Sequence, residues 1–563
     1  MDRAQGSHLQ SQPISRSFLW AWVIALIMVA IYLRIDGVGG YYYSEDEAMH
    51  VRLAQADSLK DLTHYSLYEE HPPLGHMLRY FWMKLSDDIA FVRALSLVFG
   101  IATILLYYRI GKLLKSELGG MCCAAFATFG YGLIIQSYVA RNYSIFMFFI
   151  SAAMYGYLAW QKDKRSCNLA LYSLNAALAV LTHFSAIFAI FPIASYQAAR
   201  MFLEKEKLSR QALWVLMNMA IAAVAIMVYY VWVVSGTTRI ANGAIASEKS
   251  FPVLSNTETI FDIFVNPLYA AGYLLPSLEL IPFLVFLLFL PSVTRDRKLR
   301  DFLWLAAAAW VFSMGVIATH CYYPTIGRHG VWIMPFILPA AGCLIASGLQ
   351  ELAGVLNNKR SAPWLQIALV ILLVAGVAMY DPAKRFSEAS EYQMTQAQWR
   401  QSSDYMENLN RDTLIVAARD DAVLFINTYP WLGNDAFTGA VRATLASYHH
   451  THILFNPYNR RFFSGKALLD TIQEAQKRHM LDGIDSIVFV KPAWPVFYEL
   501  TSPIAHLVAC PVKKEIISFP ALPALASPSA EQMAGLVVFI KISKEDFLDQ
   551  DFVHQCFGGT HEN

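Results

Sequence analysis

Charge is what this sequence has least of. Asp, Glu, Lys and Arg make up 15% of its 563 residues, against about a quarter in soluble globular domains, which excludes an ordinary soluble enzyme. The charge that is present nearly cancels, with 44 Lys and Arg against 43 Asp and Glu, and leaves no basic surface for nucleic acid. The seven cysteines (Cys122, Cys123, Cys167, Cys321, Cys343, Cys510 and Cys556) contain no C-x-x-C pair and no zinc-ligand spacing, so neither a disulfide scaffold nor a zinc module is indicated. What fills the chain is hydrophobic: 56% of all residues, 14% aromatic, gathered in long runs. A polytopic membrane protein hides such surface in lipid.

A helix needs roughly 20 apolar residues to cross about 30 Å of hydrocarbon. Such runs predict spans near 18–33, 89–110, 119–139, 143–160, 169–182, 184–200, 212–234, 271–290, 302–319, 329–348 and 362–380, eleven crossings in all. The first lacks a small-residue cleavage site and is followed by Arg34, which reads as an uncleaved anchor rather than a signal peptide. Stretch 169–200 has basic loops at both ends and must cross an even number of times, which two spans turning near His183 satisfy. The run Ile263 to Pro291 holds Pro267, Pro276 and Pro282, so its first part reads as re-entrant or interfacial.

Short loops fix the orientation, because Lys and Arg stay in the cytoplasm. The basic loops are Arg109/Lys112/Lys115, Lys162/Lys164/Arg165, Lys205/Lys207/Arg210, Arg295/Arg297/Lys298/Arg300 and Lys359/Arg360. All fall inside if the amino terminus is inside. An odd number of crossings then places the segment after residue 380 outside the cytoplasm.

Charge also divides the chain. Residues 381–563 carry 16 Lys and Arg against 21 Asp and Glu, while residues 1–380 carry 28 against 22. The boundary at Asp381-Pro382 separates a membrane domain, 1–380, from a soluble extracytoplasmic domain, 381–563. Apolar runs at Leu414 to Ala417, Ile453 to Phe455, Ile487 to Val490, Ile516 to Phe519 and Val537 to Ile542 predict strands, with a helix near 466–480. This is the pattern of a small α/β domain. It has no G-x-G-x-x-G, P-loop or G-x-S-x-G, and His449, His450 and His452 read as polar surface because no fourth ligand has a metal-site spacing. Cys510 and Cys556 would lie in an oxidising compartment, where a bridge is allowed but not required.

Chemistry is expected in the long first external loop, 34–88. It contains Tyr43-Ser44-Glu45-Asp46-Glu47 and later Glu69-Glu70-His71-Pro72-Pro73-Leu74-Gly75. Three adjacent acids beside a span also suit a helix start in a solvated loop, since Ser44 could cap and Glu47 occupies the capping-box position. The arginines add weight to a site. Arg93 lies just inside the second span, Arg141 in the tight turn between the third and fourth, and Arg328 before the tenth, all on the side that positive charge avoids. An external anion site explains all three, and snorkelling to lipid headgroups is the plainer alternative. Asn142-Tyr143-Ser144 is a sequon too near a membrane edge to be glycosylated.

Asp46-Glu47, then His71-Pro72-Pro73-Leu74-Gly75, then Arg93 entering the second span resembles the C-type (GT-C) glycosyltransferases that use polyprenyl-phosphate sugars, in particular the protein O-mannosyltransferase and aminoarabinose-transferase superfamily. Ala140-Arg141-Asn142-Tyr143-Ser144 resembles the Arg-containing turn of that family, and Thr182-His183-Phe184 its turn between spans five and six. The match covers roughly the first 200 residues well and the later spans loosely.

The resemblance implies inverting transfer of a sugar from a polyprenyl phosphate to an acceptor hydroxyl, on a lipid, glycan or protein, at the external face of the plasma (inner) membrane. It makes Asp46 the general base and Glu47 its neighbour in positioning the acceptor. His71, Arg93, Arg141 and Arg328 become donor-phosphate ligands, and Tyr43, His183 and His329 further pocket residues. Some relatives carry Lys where His71 stands, and no β-trefoil insertion is present. A divalent metal held by Glu47, Glu70 and His71 is allowed but not required, because a phosphate leaves well without one. The rival from another class is a transporter or flippase of an anionic lipid-linked substrate, which would predict internal repeats and broken helices near the midplane.

Overall fold

The computed structural model describes residues 16–39, 45–66, 71–205, 207–228, 296–318 and 331–355. Beyond these it describes 413–417, 444–448, 451–455, 482–491, 514–519 and 537–543, with a few residues between 401 and 409 and at 545. The expected spans 271–290 and 362–380, the helix near 466–480, the Lys359/Arg360 loop, His449, His450, Cys510 and Cys556 lie outside the described residues. The chain groups into two compact units: Met1–Gly39, Ser66–Thr237 and Lys249–Phe386 form one, and Gly40–Tyr65, Thr238–Glu248 and Ser387–Asn563 the other.

The first unit is helical. Helix α1 covers Arg16–Gly39; α4, Leu74–Met83; α5, Ile89–Leu114; α6, Glu117–Phe129; and α7, Tyr131–Tyr138. Then come α8 (Tyr143–Asp163), α9 (Ser166–Thr182), α10 (Ala186–Leu203), α11 (Leu208–Val228), α12 (Arg297–Ala318) and α13 (Met334–Val355). Among the described residues six helices (α1, α5, α8, α10, α11 and the one over Val331–Glu351) are long and apolar enough to cross a membrane. The chain is a multi-pass membrane protein. Helices α9 and α10 meet at His183, the turn expected there.

The run 119–139 is not one straight span. It breaks at Gly130 into α6 and α7, bent by 63°. A break inside a bilayer strands backbone carbonyls that water cannot reach. Arg34 answers this, donating from Nη1 to the Thr128 carbonyl at 3.2 Å and from Nη2 to the Ala127 carbonyl at 3.3 Å. Arg34 is therefore not the flank of the first span but a fully buried residue within α1, a cation at a helix carboxyl end where the dipole favours it.

Small residues let the central helices approach closely, as lipid-embedded packing requires. A Cβ at Gly111 of α5 would lie 2.4 Å from the Gly119 carbonyl of α6, and one at Gly342 of α13 would lie 2.7 Å from the Cys123 backbone. On the flank, the Trp214 ring of α11 stacks on Trp160 at 5.1 Å and on Tyr172 at 5.2 Å between centroids.

The basic loops converge at one end of this bundle. Lys115, after α5, pairs with Asp296 before α12 at 3.0 Å. Arg200 of α10 pairs with Glu204 at 2.8 Å and Asp301 of α12 at 3.5 Å. Helix α8 runs 21 residues from Tyr143 to this end, about 30 Å at 1.5 Å per residue, one hydrocarbon thickness.

The second unit contains α2 (Glu45–Ala54), most of α3 (Leu59–Ser66) and a six-stranded mixed sheet. Its strands are β1 (Thr413–Ala417), β2 (Thr444–Tyr448), β3 (Thr451–Phe455), β4 (Ser486–Lys491), β5 (Glu515–Phe519) and β6 (Val537–Ser543), in the order β2-β3-β1-β4-β6-β5. Strand β1 runs parallel to both β3 and β4, and the other pairs are antiparallel. Successive side chains point to opposite faces, yet Ile487, Val488 and Phe489 of β4 are all buried, so both faces of the sheet are covered there. Five of these strands match the sequence expectation and β2 is additional.

Candidate active site

At the end of α8 opposite the basic loops, three chain segments meet. The first is His71-Pro72-Pro73 leading into α4. Pro73 occupies the position before the first helical residue, with φ −77° and ψ −20°, a backbone that the proline ring presets. Two residues on, Gly75 packs directly on Asn142, whose Oδ1 would be 2.2 Å from any Cβ added there. The absence of a side chain at 75 sets how closely α4 approaches the second segment, the turn Ala140-Arg141-Asn142.

Asn142 stands at the cap position of α8 but makes no side-chain cap. Its Oδ1 instead accepts a hydrogen bond from Arg79 Nη1 of α4 at 3.3 Å. An Asn that forgoes its ordinary local bond is held by tertiary structure. The Arg141 guanidinium lies over the Tyr143 ring at 4.9 Å, and the Arg141 carbonyl accepts from Ser96 Oγ of α5 at 3.4 Å. Arg93, three residues before Ser96 on α5, is fully buried and donates to the Val38 carbonyl of α1 at 3.4 Å.

The third segment is the α9–α10 turn. His183 is buried, with its ring centroid 5.2 Å from His71, 5.0 Å from Tyr143 and 5.3 Å from Phe146. Its Nδ1 accepts from the Ser185 amide at 3.1 Å. Of the residues expected at the site, His71, Arg141 and His183 share this cluster, and Arg93 borders it through Ser96. Tyr43, Glu70, Arg328 and His329 lie outside the described residues.

Asp46 and Glu47 belong to the first turn of α2 in the other unit. Glu47 is fully buried, and so is His50 one turn later on the same face. A solvated loop does not bury a carboxylate, so burial disfavours the alternative of a solvated helix start for Glu47. Among the described residues no group of three or more His, Cys, Asp or Glu side chains comes together to hold a metal ion.

Three contributors were not singled out from sequence: His76 and Arg79 of α4, and Ser185. His76 and Arg79 are spaced i, i+3 on an otherwise apolar helix, a polar stripe that resembles a wet face but is fully buried. Burial, reinforced by the neighbouring Arg79 guanidinium, pushes the His76 imidazole down to about 3. The positive charge of the cluster at neutral pH therefore comes from arginine, not from His76. A folded value below the ordinary 6.5 means that the unfolded chain takes up this proton first, so stability is lost as pH falls from 6.5 toward 3. Acidification from pH 7 to pH 5 should cost about 2 kcal/mol through this residue. His76→Gln should flatten the pH dependence of the melting temperature over that window, and an unchanged slope would rule His76 out as its source.

Two buried donors at the cluster, Asn142 Nδ2 and Ser185 Oγ, have no hydrogen-bond partner among the described residues. Buried donors are rarely left so, and beside arginines they suit an anionic acceptor.

No family model and no curated protein matches the sequence. Solved structures do. The apo structure of ArnT, the aminoarabinose transferase of Cupriavidus metallidurans, superposes with a TM-score of 0.55 over 93% of this chain and 98% of that one at 11% identity. ArnT from the same organism bound to undecaprenyl phosphate gives 0.50 over 92% and 98% at 13% identity. The apo oligosaccharyltransferase of Archaeoglobus fulgidus gives 0.50 over 84% of this chain and 70% of that one, also at 13%. Coverage of nearly the whole of ArnT, at an identity far below what a sequence comparison detects, shows that the chain has the GT-C glycosyltransferase fold.

Proposed function

We propose that this protein is a membrane glycosyltransferase that moves a sugar from a polyprenyl-phosphate carrier to an acceptor hydroxyl on the extracytoplasmic face. The observation that carries this reading is the buried cluster of Arg79, Arg141, Asn142 and Ser185, with two donor groups lacking acceptors, in a fold shared with a transferase solved with undecaprenyl phosphate.

In the proposed reaction the acceptor oxygen gives its proton to Asp46 and attacks the anomeric carbon from the face opposite the phosphate. The bond from that carbon to the phosphate oxygen breaks, and the electron pair leaves on the carrier. One displacement inverts the configuration. Arg93, Arg141 and Arg328, with His71 and the newly found Arg79, stabilise the departing phosphate, which needs preorganised positive charge. Glu47 orients the acceptor, and Tyr43, His183 and His329 shape the pocket. A general base is worth typically 10² to 10⁴ in rate. No step calls for a metal. The domain after residue 380 is assigned to the same extracytoplasmic side.

Incubation of the purified protein with a radiolabelled polyprenyl-phosphate sugar and a membrane extract is expected to release the carrier phosphate and leave label on a new product. Movement of the labelled lipid between leaflets with no new product would instead identify a flippase.

A further inference from the structure

Helices α5, α8, α10 and α12 line a half-open cavity of about 320 Å³ at the basic end of the bundle, within the range of small-ligand sites. Its floor is apolar and buried, formed by Leu114, Leu158, Phe302 and Leu305. Its remaining wall carries Lys162, Arg200, Arg297 and Lys298 against a single carboxylate, Asp301.

The four cations are not equivalent. Arg200 is held by Glu204 and Asp301, and Arg297 lies 4.0 Å from Glu204. The ammonium groups of Lys162 and Lys298 have no carboxylate partner among the described residues. Fixed polar groups line the inner wall, where Tyr157 Oη and Gln161 both donate to Gln197 Oε1. The cavity thus combines an apolar floor with two uncompensated positive charges, at the end of the bundle where the basic loops gather.

We propose that this cavity binds an anionic phospholipid of the inner leaflet, its phosphate between Lys162 and Lys298 and its first methylenes on the leucine and phenylalanine floor. A soluble anion would need the lysines but not the floor, and a neutral lipid the floor but not the lysines. Basic pockets between helices on the cytoplasmic side suit anionic headgroups. This site lies about a membrane thickness from the His71–His183 cluster, and its occupancy does not depend on the reaction proposed there.

The test titrates the purified full-length protein, in neutral detergent, with dioleoyl phosphatidylglycerol, dioleoyl phosphatidylcholine or inorganic phosphate, counting bound lipid by native mass spectrometry. Phosphatidylglycerol should bind more tightly than phosphatidylcholine, and inorganic phosphate should not compete at equal concentration. The double variant Lys162→Gln, Lys298→Gln should weaken phosphatidylglycerol roughly 30-fold. Lys207→Gln, Arg210→Gln removes the same charge from the same face without touching the cavity and should leave affinity unchanged. Equal losses in the two double variants would reduce the effect to diffuse surface charge. Equal affinity for the two lipids, or competition by inorganic phosphate, would also overturn the proposal.

Discussion

Asp46→Asn is expected to slow sugar transfer by a factor of about 10² to 10⁴ at saturating donor, while donor affinity and melting temperature stay near those of the parent protein. Asp46 is the second residue of α2, Glu45–Ala54. Glu47→Gln should slow transfer less and lower stability more, because its side chain is buried and an acceptor needs only to be oriented. The rival account, a capping box at the start of α2, shares the stability loss at Glu47 but predicts no loss of transfer at position 46. Stability would then respond to Ser44→Ala and Glu47→Gln, by about 1 kcal/mol, and position 46 would be indifferent. Full transfer activity in a folded Asp46→Asn protein would remove Asp46 from the chemistry.

The second large effect should come from the arginines. Truncating Arg141 or Arg79 to Ala should weaken binding of a polyprenyl-phosphate sugar by about 2 to 5 kcal/mol, the range for one member of a buried charge pair. Lys at either position should restore only part of it, since the planar fork is lost. Arg93 separates a phosphate ligand from a structural cation. Its guanidinium donates to the Val38 carbonyl, so Arg93→Ala should lower the melting temperature as well as donor affinity. Isothermal titration with donor, beside thermal denaturation of each variant, reads both quantities. Unchanged donor affinity in all three alanine variants would make these arginines scaffold and leave the phosphate without a site here.

The membrane half was legible in the sequence because lipid imposes a length and a polarity that no soluble fold imposes. The turn at His183 was legible for the same reason, since basic loops on both sides demanded an even number of crossings. Hydropathy has no phase, however, and the bend at Gly130 lies inside a run of unbroken apolarity. Strand β2 escaped notice because Thr444–Tyr448 is weakly apolar and takes an edge of the sheet, where a strand needs less hydrophobic pattern. At the site, the cations near span ends stood out because the basic loops of the sequence imply the opposite side for positive charge. His76 and Arg79 did not, because a polar pair in a loop helix looks like a wet face until its neighbours are known. Asn142 shows in the sequence as a sequon within the Arg-containing turn, with no role of its own. It is buried and bound to Arg79, so its amide is out of reach of any glycosylation machinery.

The Arg34 contact also dictates an order of assembly. Its partners Thr128 and Ala127 lie 94 and 93 residues later in the chain, so α1 enters the bilayer well before α6 is synthesised. In the interval the guanidinium has the Ala30 carbonyl of its own helix, 3.1 Å from Nη1, and lipid headgroups within reach of its stem. The carbonyls of Ala127 and Thr128 become available to it only with α6. Docking of α6 completes the set of carbonyls around Arg34. A chain lacking this side chain should insert its first two spans normally and stall at the third.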